Sequence, residues 1–320
     1  MAHRHLITAR RHVRAIVAKS IEMQPSPNRA LSPMAEGIAL RDCPACAQVT
    51  EQRFLYSLNG CNILRCRTCG LGQAETPAFD PASYYTGKYF SGQQSDGYAD
   101  YLAAEPVLRR EFARTVAFIR QWCNGGRLLE IGCAYGFFLH EAKKYFDVSG
   151  IELAADAAVY CRRSGLSVLP GVADETTLHR DEKVDVIVML DVLEHLPDPR
   201  GTLAALGRHL SPGGIIVITT GDFGSVAARL CGRYWRLMTP PQHLWFFGRE
   251  SIVRLAASLG LRVECVDHPW KIVPLSLIMF QLRRMLHLSV RVQSPAAGVG
   301  LPLNLFDAMR VVLRKPSHDQ

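Results

Sequence analysis

A carboxylate and a glycine-containing turn stand at the end of one apolar run, and a second carboxylate stands at the end of the next. Residues 128–131 lead into the turn Gly-Cys-Ala-Tyr-Gly at 132–136, and the apolar run 148–151 stops at Glu152. Glycines let a ligand approach the backbone closely, and the helix after such a turn presents unpaired N–H groups. A carboxylate about 20 residues further on can accept hydrogen bonds from both hydroxyls of a ribose. The spacing therefore predicts a strand, turn, helix and strand that bind a nucleotide-like ligand, with Glu152 on the ribose.

Two Cys-x-x-Cys pairs form a second group with recognisable chemistry. Cys43 and Cys46 are followed, after nineteen residues, by Cys66 and Cys69. Each such turn directs two thiolates towards one point, and two turns complete the tetrahedron that Zn²⁺ prefers. Four sulfur ligands leave no open position, so the predicted role of the metal is structural. The other cysteines, Cys61 among them, are scattered, which favours a reducing, cytoplasmic compartment over a disulfide framework.

The elements that must position these residues follow from the alternation of apolar runs and amphipathic stretches. Residues 184–190 are almost wholly apolar, which is typical of a central strand covered on both faces. Strands that alternate with helices indicate an α/β fold with a doubly wound sheet. The predicted helices are 105–122, 155–163, 250–259 and 272–292, and the predicted strands are 128–131, 148–151, 168–169, 184–190, 215–220, 261–266 and 309–315.

Three stretches resemble one family. Glu130 and the turn at 132–136 resemble the first motif of class I S-adenosylmethionine (SAM)-dependent methyltransferases, E/D-x-G-x-G-x-G, with Ala134 in place of the middle glycine. The sequence Asp-Val-Leu-Glu-His at 191–195 is similar to the fourth motif. Residues 221–247 resemble a subgroup of these methyltransferases that is often found among glycan, lipid and natural-product tailoring enzymes, in which this insertion shapes the acceptor pocket. Over residues 43–315, the resemblance implies a Rossmann-like, seven-stranded doubly wound sheet whose last strand is antiparallel beside the fifth, preceded by a small N-terminal zinc ribbon.

The resemblance also implies the cofactor and the residues around it. SAM would contact the turn through the backbone, its ribose would bind Glu152, and its adenine would lie against the loop after the third strand. The methionine part would border the end of the fourth strand. The residues implied are Glu130, Gly132, Cys133, Ala134, Gly136, Glu152, Val172, Ala173, Asp174, Met189, Leu190 and Asp191.

Two histidines are candidate catalytic bases. His195 ends the fourth motif, and His243 follows the Pro-Pro turn at 240–241 among aromatic residues. An imidazole that titrates near neutral pH can take a proton from an acceptor hydroxyl. Two alternatives stay open for His195: it holds a divalent cation with Asp191 and Glu194, as the resemblance to some quinone-precursor O-methyltransferases implies, or it braces its loop by hydrogen bonding. His243 is alternatively a packed core residue.

The chain divides into four predicted parts. Residues 1–40 form a basic, flexible extension, 41–75 the zinc ribbon, and 126–320 the methyltransferase domain. Between them, residues 76–125 form an aromatic linker and a helix that cover the cofactor mouth. The tyrosines of this linker either touch SAM or the acceptor, or pack the zinc ribbon against the main domain.

Composition limits the partners. The chain has 320 residues, is 48% hydrophobic and carries a net charge of +8, of which the basic extension through residue 42 supplies half. The rest is only mildly basic, so a nucleic-acid surface is not indicated. No apolar run reaches the roughly 18 residues that a membrane-spanning helix needs. Peripheral membrane contact through the basic N-terminus or residues 272–292 is the alternative to core packing.

The sequence therefore predicts a cytoplasmic SAM-dependent methyltransferase that acts on a small-molecule, sugar or lipid acceptor, at oxygen. Sugar C-methylation is the enzymatic alternative. A rival of another class is a non-catalytic zinc-ribbon binding protein with a vestigial SAM fold, which the intact acid and glycine set disfavours. A nicotinamide-dependent oxidoreductase is disfavoured because the G-x-G-x-x-G spacing is absent.

Overall fold

The computed structural model describes residues 37–76, 79–91, 100–174, 177–178, 183–285 and 298–317. Most of the basic extension predicted at 1–40, Tyr98 of the aromatic linker and residues 286–292 lie outside the described residues. The helices are α1 (Pro81–Tyr84), α2 (Gly87–Phe90), α3 (Glu105–Ile119), α4 (Phe137–Ala142), α5 (Ala155–Arg163), α6 (Pro199–His209), α7 (Val226–Cys231), α8 (Arg249–Ser258) and α9 (Leu275–Met285). The strands are β1 (Ile38–Cys43), β2 (Gln48–Leu58), β3 (Cys61–Cys66), β4 (Gly72–Glu75), β5 (Arg127–Ile131), β6 (Asp147–Glu152), β7 (Ser167–Pro170), β8 (Val184–Leu190), β9 (Leu210–Gly221), β10 (Trp245–Phe246), β11 (Arg262–Asp267), β12 (Lys271–Pro274), β13 (Gly300–Leu303) and β14 (Ala308–Arg314).

A seven-stranded sheet forms the centre of the fold. Its strand order is β11-β14-β9-β8-β5-β6-β7. The five strands from β9 to β7 are parallel, and β14 pairs antiparallel with both β9 and β11. The predicted doubly wound, Rossmann-like sheet, with its last strand antiparallel beside the fifth, is confirmed.

The central strand β8 is buried because both faces of the sheet are covered. Val186, Ile187, Val188 and Met189 are each 0% exposed. The even-numbered side chains of this group pack in a core with residues of α3 and α4, and the odd-numbered ones pack on the opposite face with residues of α6 and α8. This burial explains why the strand reads as a continuous apolar run rather than an alternating one.

A second, antiparallel sheet lies at the N-terminal end of the described chain. It has the order β1-β2-β3-β4-β10, and its β2–β3 turn uses Asn59 and Gly60, both with positive φ, as tight hairpins require. Its last strand, Trp245–Phe246, comes from the segment that follows the fifth strand of the large sheet. The second sheet is therefore completed by chain from the predicted methyltransferase part.

The predicted helix at 272–292 begins later than expected. Residues 271–274 form β12, which pairs antiparallel with β13, and the helix α9 starts at Leu275. Pro274 disfavours helical geometry in the residue before it, and the β-branched Ile272 and Val273 suit a strand. The prediction was wrong for 272–274, because apolar side chains at this spacing fit either element. Among the described helices, none is long and apolar enough to cross a membrane.

Candidate active site

The turn after β5 is built on residues with left-handed backbone. Gly132, Ala134 and Gly136 have φ of 71°, 47° and 75°. A Cβ at Gly132 would lie 2.7 Å from Val192 Cγ2, and one at Gly136 would lie 2.5 Å from Leu166 Cδ1. Both glycines are required by sterics as well as by backbone conformation. Ala134, which stands where the family motif has glycine, adopts the left-handed conformation that costs an L-residue about 1–2 kcal/mol.

Glu152 lies at the mouth of this turn. Its Oε2 accepts a hydrogen bond from the Ala134 backbone N–H at 2.7 Å, and its Oε1 accepts one from the Ala154 N–H at 2.7 Å. The side chain is 5% exposed, and burial raises its pKa while the backbone donors oppose that rise. Each carboxylate oxygen has a second lone pair, so further donors from a ligand can be accepted without breaking these bonds.

Glu130 is buried beneath the turn, on β5. It is 3% exposed, and its Oε2 has no hydrogen-bond partner among the described residues. Burial raises its pKa well above the ordinary value, and the neighbouring Cys161 and Glu152 add to the effect. A buried polar atom without a partner costs about 1–3 kcal/mol and calls for an explanation such as a missing ligand.

The loop after β7, the third strand of the large sheet in chain order, is hydrogen-bonded to Glu152. The Gly171 N–H donates to the Glu152 carbonyl oxygen at 2.8 Å. Val172 is 53% exposed and Ala173 is 8% exposed. The Asp174 Oδ1 accepts from the Thr177 N–H at 3.1 Å and so closes its own turn. The structure thus brings the predicted adenine loop next to the predicted ribose residue.

The end of β8 supplies the other side of the crevice. Met189 is fully buried, and Asp191 has a positive φ of 55°. The Asp191 carboxylate accepts from Thr219 Oγ1 at 2.9 Å and from Lys271 Nζ at 3.1 Å. Burial would raise the pKa of Asp191, but Lys271 and Thr219 hold it below the ordinary value. Lys271 was not predicted as a site residue, because nothing local marks a lysine that is 80 residues away in sequence.

The two predicted histidines lie against each other. Their ring centroids are 4.7 Å apart in an edge-to-face arrangement. His195 Nδ1 is 2.8 Å from the Gln242 carbonyl oxygen, and His243 Nδ1 is 2.8 Å from the Leu237 carbonyl oxygen. Because a carbonyl only accepts, each Nδ1 carries the proton, and each Nε2 is left as the basic nitrogen. Burial lowers the pKa of His195 and lowers that of His243 to about 3, so both rings are neutral at pH 7.

Glu194 completes a cluster with these rings. Its carboxylate and the two imidazoles each offer a ligand atom, and these atoms all lie within 4.8 Å of one another. Glu194 is 3% exposed, its Oε2 has no partner among the described residues, and burial followed by repulsion from Asp191 raises its pKa to about 8. The cation set predicted from the motif was Asp191, Glu194 and His195. The structure instead groups Glu194 and His195 with His243.

The aromatic linker lies over the histidines. Tyr85 Oη is 2.8 Å from His195 Nδ1, and Tyr89 Oη accepts from Gln242 Nε2 at 2.8 Å. Further along, Tyr101 stacks on Phe137 of the helix that follows the glycine turn, with centroids 5.4 Å apart. The many tyrosines of the linker were the sequence feature that indicated this arrangement. No feature of the sequence marked Gln242.

The four paired cysteines converge. Cys43 Sγ lies 3.6 Å from Cys69 Sγ, Cys46 Sγ lies 3.9 Å from Cys66 Sγ, and all four atoms are within 4.8 Å of one another. Zn–S bonds of about 2.3 Å in a tetrahedron place sulfur atoms about 3.8 Å apart, so the donor set fits zinc. All ten cysteines of the chain are free of disulfides, and Cys61 bonds instead to the Asn59 carbonyl.

Comparison with known families decides the membership of the chain. Residues 104–266 match the methyltransferase domain family. The chain belongs to this family. The matched part of this methyltransferase-family chain contains the glycine turn, Glu152 and both histidines, whereas the four cysteines and Lys271 lie outside it.

Curated relatives share part of this methyltransferase-family chain. A ubiquinone biosynthesis O-methyltransferase from Methylococcus capsulatus is 31% identical over 132 residues, which is 39% of this chain and 54% of that relative. Another from Alkalilimnicola ehrlichii is 29% identical over 170 residues, which is 47% of this chain and 69% of the relative. The chain thus spans about half the length of the first of these relatives.

Solved structures similar to the chain are distant in sequence. A putative methyltransferase from Bacillus halodurans has a TM-score of 0.49 at 14% identity and covers 64% of this chain and 99% of its own. A SAM-dependent methyltransferase from Thermotoga maritima, described as a possible histamine N-methyltransferase, has a TM-score of 0.44 at 20% identity, covering 66% of this chain and 90% of its own.

Proposed function

We propose that this protein is a SAM-dependent methyltransferase that transfers a methyl group to a hydroxyl oxygen of a small-molecule acceptor. One observation carries the proposal. The Glu152 carboxylate lies at the mouth of a turn that glycines keep open, and it has spare lone pairs. Buried below it is Glu130, whose Oε2 has no hydrogen-bond partner among the described residues. The relatives named as O-methyltransferases support oxygen as the methylated atom.

The proposed cofactor contacts follow from this geometry. The ribose hydroxyls donate to Glu152, and the exposed Val172 packs on the adenine. Burial raises the pKa of Glu130, and its Oε2 would gain a polar partner from the cofactor or from a water held by it. When bound, SAM supplies an electrophilic methyl group on a sulfonium. The remaining predicted contacts are those of Gly132, Cys133, Ala134, Gly136, Ala173, Asp174, Met189, Leu190 and Asp191.

The histidine pair is the proposed base. The Nε2 of His195 or His243 would take the proton of the acceptor hydroxyl, which makes the oxygen the nucleophile for the methyl group that SAM would supply. Carbonyl bonds to both Nδ1 atoms hold the tautomer that leaves Nε2 unprotonated. Positioning of the oxygen in line with the carbon–sulfur bond supplies the rest of the rate.

The experiment that tests this function is isothermal calorimetry with SAM. We expect micromolar binding to the wild type and at least a tenfold loss in Glu152→Gln, because an amide has one acceptor oxygen instead of two. Asp147→Asn is the matched control, since Asp147 is exposed at the opposite end of β6 from Glu152. Absence of SAM binding to the wild type, together with salt-sensitive DNA or RNA binding, would favour a non-catalytic binding protein instead.

A second mechanism is favoured by the cluster of Glu194, His195 and His243. In this mechanism a divalent cation activates the acceptor hydroxyl. The closeness of the three ligand atoms supports it. Against it, burial keeps Glu194 protonated near neutral pH, and a protonated carboxyl is a poor ligand. Methyl transfer that survives dialysis against EDTA would exclude the cation; transfer restored only by Mg²⁺ or Mn²⁺ would establish it.

We also propose that Cys43, Cys46, Cys66 and Cys69 bind one structural Zn²⁺. The sulfur spacing and the burial of three of the four thiols support this. With ten free cysteines, the chain suits the reducing conditions of the cytoplasm, which we propose as its location.

The acceptor is proposed to be a phenol, sugar or lipid, with sugar C-methylation as the alternative. A C-methyltransferase would use the same histidines to remove a proton from carbon. Transfer of a labelled methyl group to fractionated glycans, lipids and phenols, followed by NMR of the product, distinguishes an O-methyl from a C-methyl carbon by chemical shift.

A further inference from the structure

Several arginines lie where the helix α7 packs on the second sheet. Ile63 of β3 and Ala228 of α7 belong to one hydrophobic cluster, which also contains Phe223. Arg65 comes two residues after Ile63 and so lies on the same face of β3, because side chains alternate along a strand. Arg229 directly follows Ala228 and is exposed. Arg65 and Arg229 therefore border the same apolar contact, one from each element.

Arg53 adds a third positive charge. It pairs directly with Arg65 across β2 and β3, so the two Cβ atoms lie about 4.5–5.5 Å apart on one face. Like charges in this position destabilise a sheet. Burial, followed by the charges of Arg229 and Arg53, lowers the pKa of the Arg65 guanidinium, so the three charges act on one another. We call Arg53, Arg65 and Arg229 the arginine cluster.

The arginine cluster has no acidic partner in the described part of the chain. None of its guanidinium groups forms an ion pair with a described carboxylate, whereas the nearby Arg67 pairs with Glu51 at 2.9 Å. The Arg65 guanidinium lies over the Phe223 ring, 5.3 Å from its centroid. The Cys69 thiol group opposes the repulsion, but its effect on the Arg65 pKa is the smallest of the causes. Positive charges that repel one another beside an apolar contact favour the binding of an anion.

We propose that the arginine cluster binds a phosphate group. A guanidinium donates two parallel N–H bonds to a pair of oxygens, and this fork matches phosphate. A phosphate group carries about 1.5–2 negative charges at pH 7 and three acceptor oxygens, so it suits three guanidinium groups better than a carboxylate does. The inference goes beyond the proposed methyltransferase function and does not depend on it, because no member of the cluster is a proposed SAM contact or base.

The phosphate belongs either to a small soluble phosphoester or to the headgroup of an anionic lipid. The helix that carries Arg229 makes the two sources distinguishable. Val226 and Leu230 are 72% and 82% exposed on α7, and residues four apart share one face of a helix. A lipid would contact this apolar pair as well as the arginines, whereas a soluble phosphoester would need the arginines alone.

The test is calorimetry of the full chain with inorganic phosphate, at an ionic strength held constant with sodium chloride. We expect the wild type to bind phosphate. Arg53→Gln, Arg65→Gln and Arg229→Gln should each weaken binding about tenfold or more, because each removes a charge-assisted pair of hydrogen bonds. Arg163→Gln is the matched control: Arg163 is exposed on α5 and forms no ion pair with a described carboxylate, and its loss should leave phosphate binding unchanged.

Urea unfolding gives a readout that a merely structural arginine would not produce. Without phosphate, Arg229→Gln should unfold at the same urea midpoint as the wild type or a higher one, because it removes a repelling charge. Millimolar phosphate should raise the midpoint of the wild type more than that of the variant. A lower midpoint of Arg229→Gln without phosphate, with an equal gain on adding it, would contradict the proposal.

Sedimentation with lipid vesicles identifies the source of the phosphate. A headgroup site predicts that the wild type sediments with phosphatidylglycerol vesicles and not with phosphatidylcholine vesicles. Leu230→Ser should then weaken sedimentation several-fold and leave the binding of inorganic phosphate unchanged. A site for a soluble phosphoester predicts sedimentation with neither kind of vesicle. Both results support phosphate as the ligand of the cluster.

Other outcomes would overturn the proposal. Absence of phosphate binding to the wild type, or an equal loss in Arg163→Gln, would show that the arginine cluster is not a phosphate site. Loss of bound zinc in Arg65→Gln, with full phosphate binding in Arg53→Gln and Arg229→Gln, would show that Arg65 serves the Cys69 thiolate instead. SAM affinity should be equal in all cluster variants, so failure of the proposed methyltransferase function would leave this result standing.

Discussion

At the scale of single residues, the site depends on neutral histidines that backbone carbonyls hold in one tautomer. An ordinary imidazole would be half protonated at about pH 6.5 and would lose its basic nitrogen there. Burial moves this loss to lower pH for His195 and His243. The consequence for catalysis and for stability can be measured separately.

We predict that kcat/KM for methyl transfer falls on the acid side at a pH below the value of about 6.5 that an ordinary imidazole would give, because burial lowers the pKa of both histidines. His195→Gln and His243→Gln should lower kcat by about 10²–10⁴-fold for whichever residue is the base, with SAM affinity unchanged. A full rate in both variants would show that neither histidine takes the proton.

The lowered pKa values also mean that the two histidines should contribute less to the free energy of unfolding as the pH falls. A histidine with a depressed folded pKa binds its proton more readily when unfolded, so the unfolded state gains protons as pH falls below about 6.5. The buried Glu130 and Glu194, whose pKa values are raised, act in the opposite direction over this range, but they do so in both wild type and variant. We predict that, between pH 7 and pH 5, the urea midpoint of the wild type falls relative to that of His243→Gln. An equal pH dependence in the variant would assign the effect to other groups.

The glycine turn gives a prediction with a matched control. Gly136→Ala places a Cβ 2.5 Å from Leu166 Cδ1 and 2.9 Å from Cys161 Sγ, at a φ of 75°. Gly165→Ala has almost the same φ, 78°, but nothing within 4 Å. We expect about 1–2 kcal/mol of destabilisation from the backbone alone in Gly165→Ala and a further 1–3 kcal/mol in Gly136→Ala, measured by urea unfolding. Equal losses would show that the crowded side chains move aside at no cost.

At the scale of elements, two hydrogen bonds connect the second sheet to the loop that carries His195. Trp245 of β10 donates from Nε1 to the Leu196 carbonyl at 2.8 Å, and the Leu244 N–H donates to the Glu194 carbonyl at 2.9 Å. The loop that carries His195 is therefore tied to the strand that completes the N-terminal sheet.

We predict that Trp245→Phe lowers kcat several-fold and costs about 1–2 kcal/mol, through the lost hydrogen bond and the smaller ring, while SAM affinity is kept. The exposed Trp270→Phe should change stability by less than about 0.5 kcal/mol. Unchanged kcat in Trp245→Phe would show that the loop is held without this bond.

These elements also show what the sequence could predict. The run 184–190 was identified as a central strand because burial on both faces leaves a local, apolar pattern. Glu152 was placed at the turn because adjacent parallel strands end at the same edge of a sheet. By contrast, β10 has two residues, and its pairing with β4 depends on chain more than 170 positions away. Lys271 and Gln242 reach the site through such long-range packing, which no local pattern encodes.

At the scale of the whole molecule, the proposed zinc site and the methyltransferase core form one hydrophobic cluster. Cys43, Cys66 and Cys69 pack in the same cluster as Met189 and Leu193. Loss of the metal would leave four thiols, three of them buried, without their common ligand, in the cluster that contains the end of β8. Disruption of the N-terminal sheet should therefore also disrupt the candidate active site.

We predict one zinc ion per chain by metal analysis, and a single calorimetric unfolding transition whose midpoint falls when zinc is removed by a chelator. The shared core makes the two sheets one cooperative unit, so methyl transfer should be lost together with the metal. Cys69→Ser should reproduce this loss, whereas Cys231→Ser should not, because Cys231 is exposed on α7 and is not one of the four converging thiols. Two separate transitions, with activity kept after the first, would mean that the N-terminal sheet unfolds independently. β10 would then join the two sheets without coupling their stabilities.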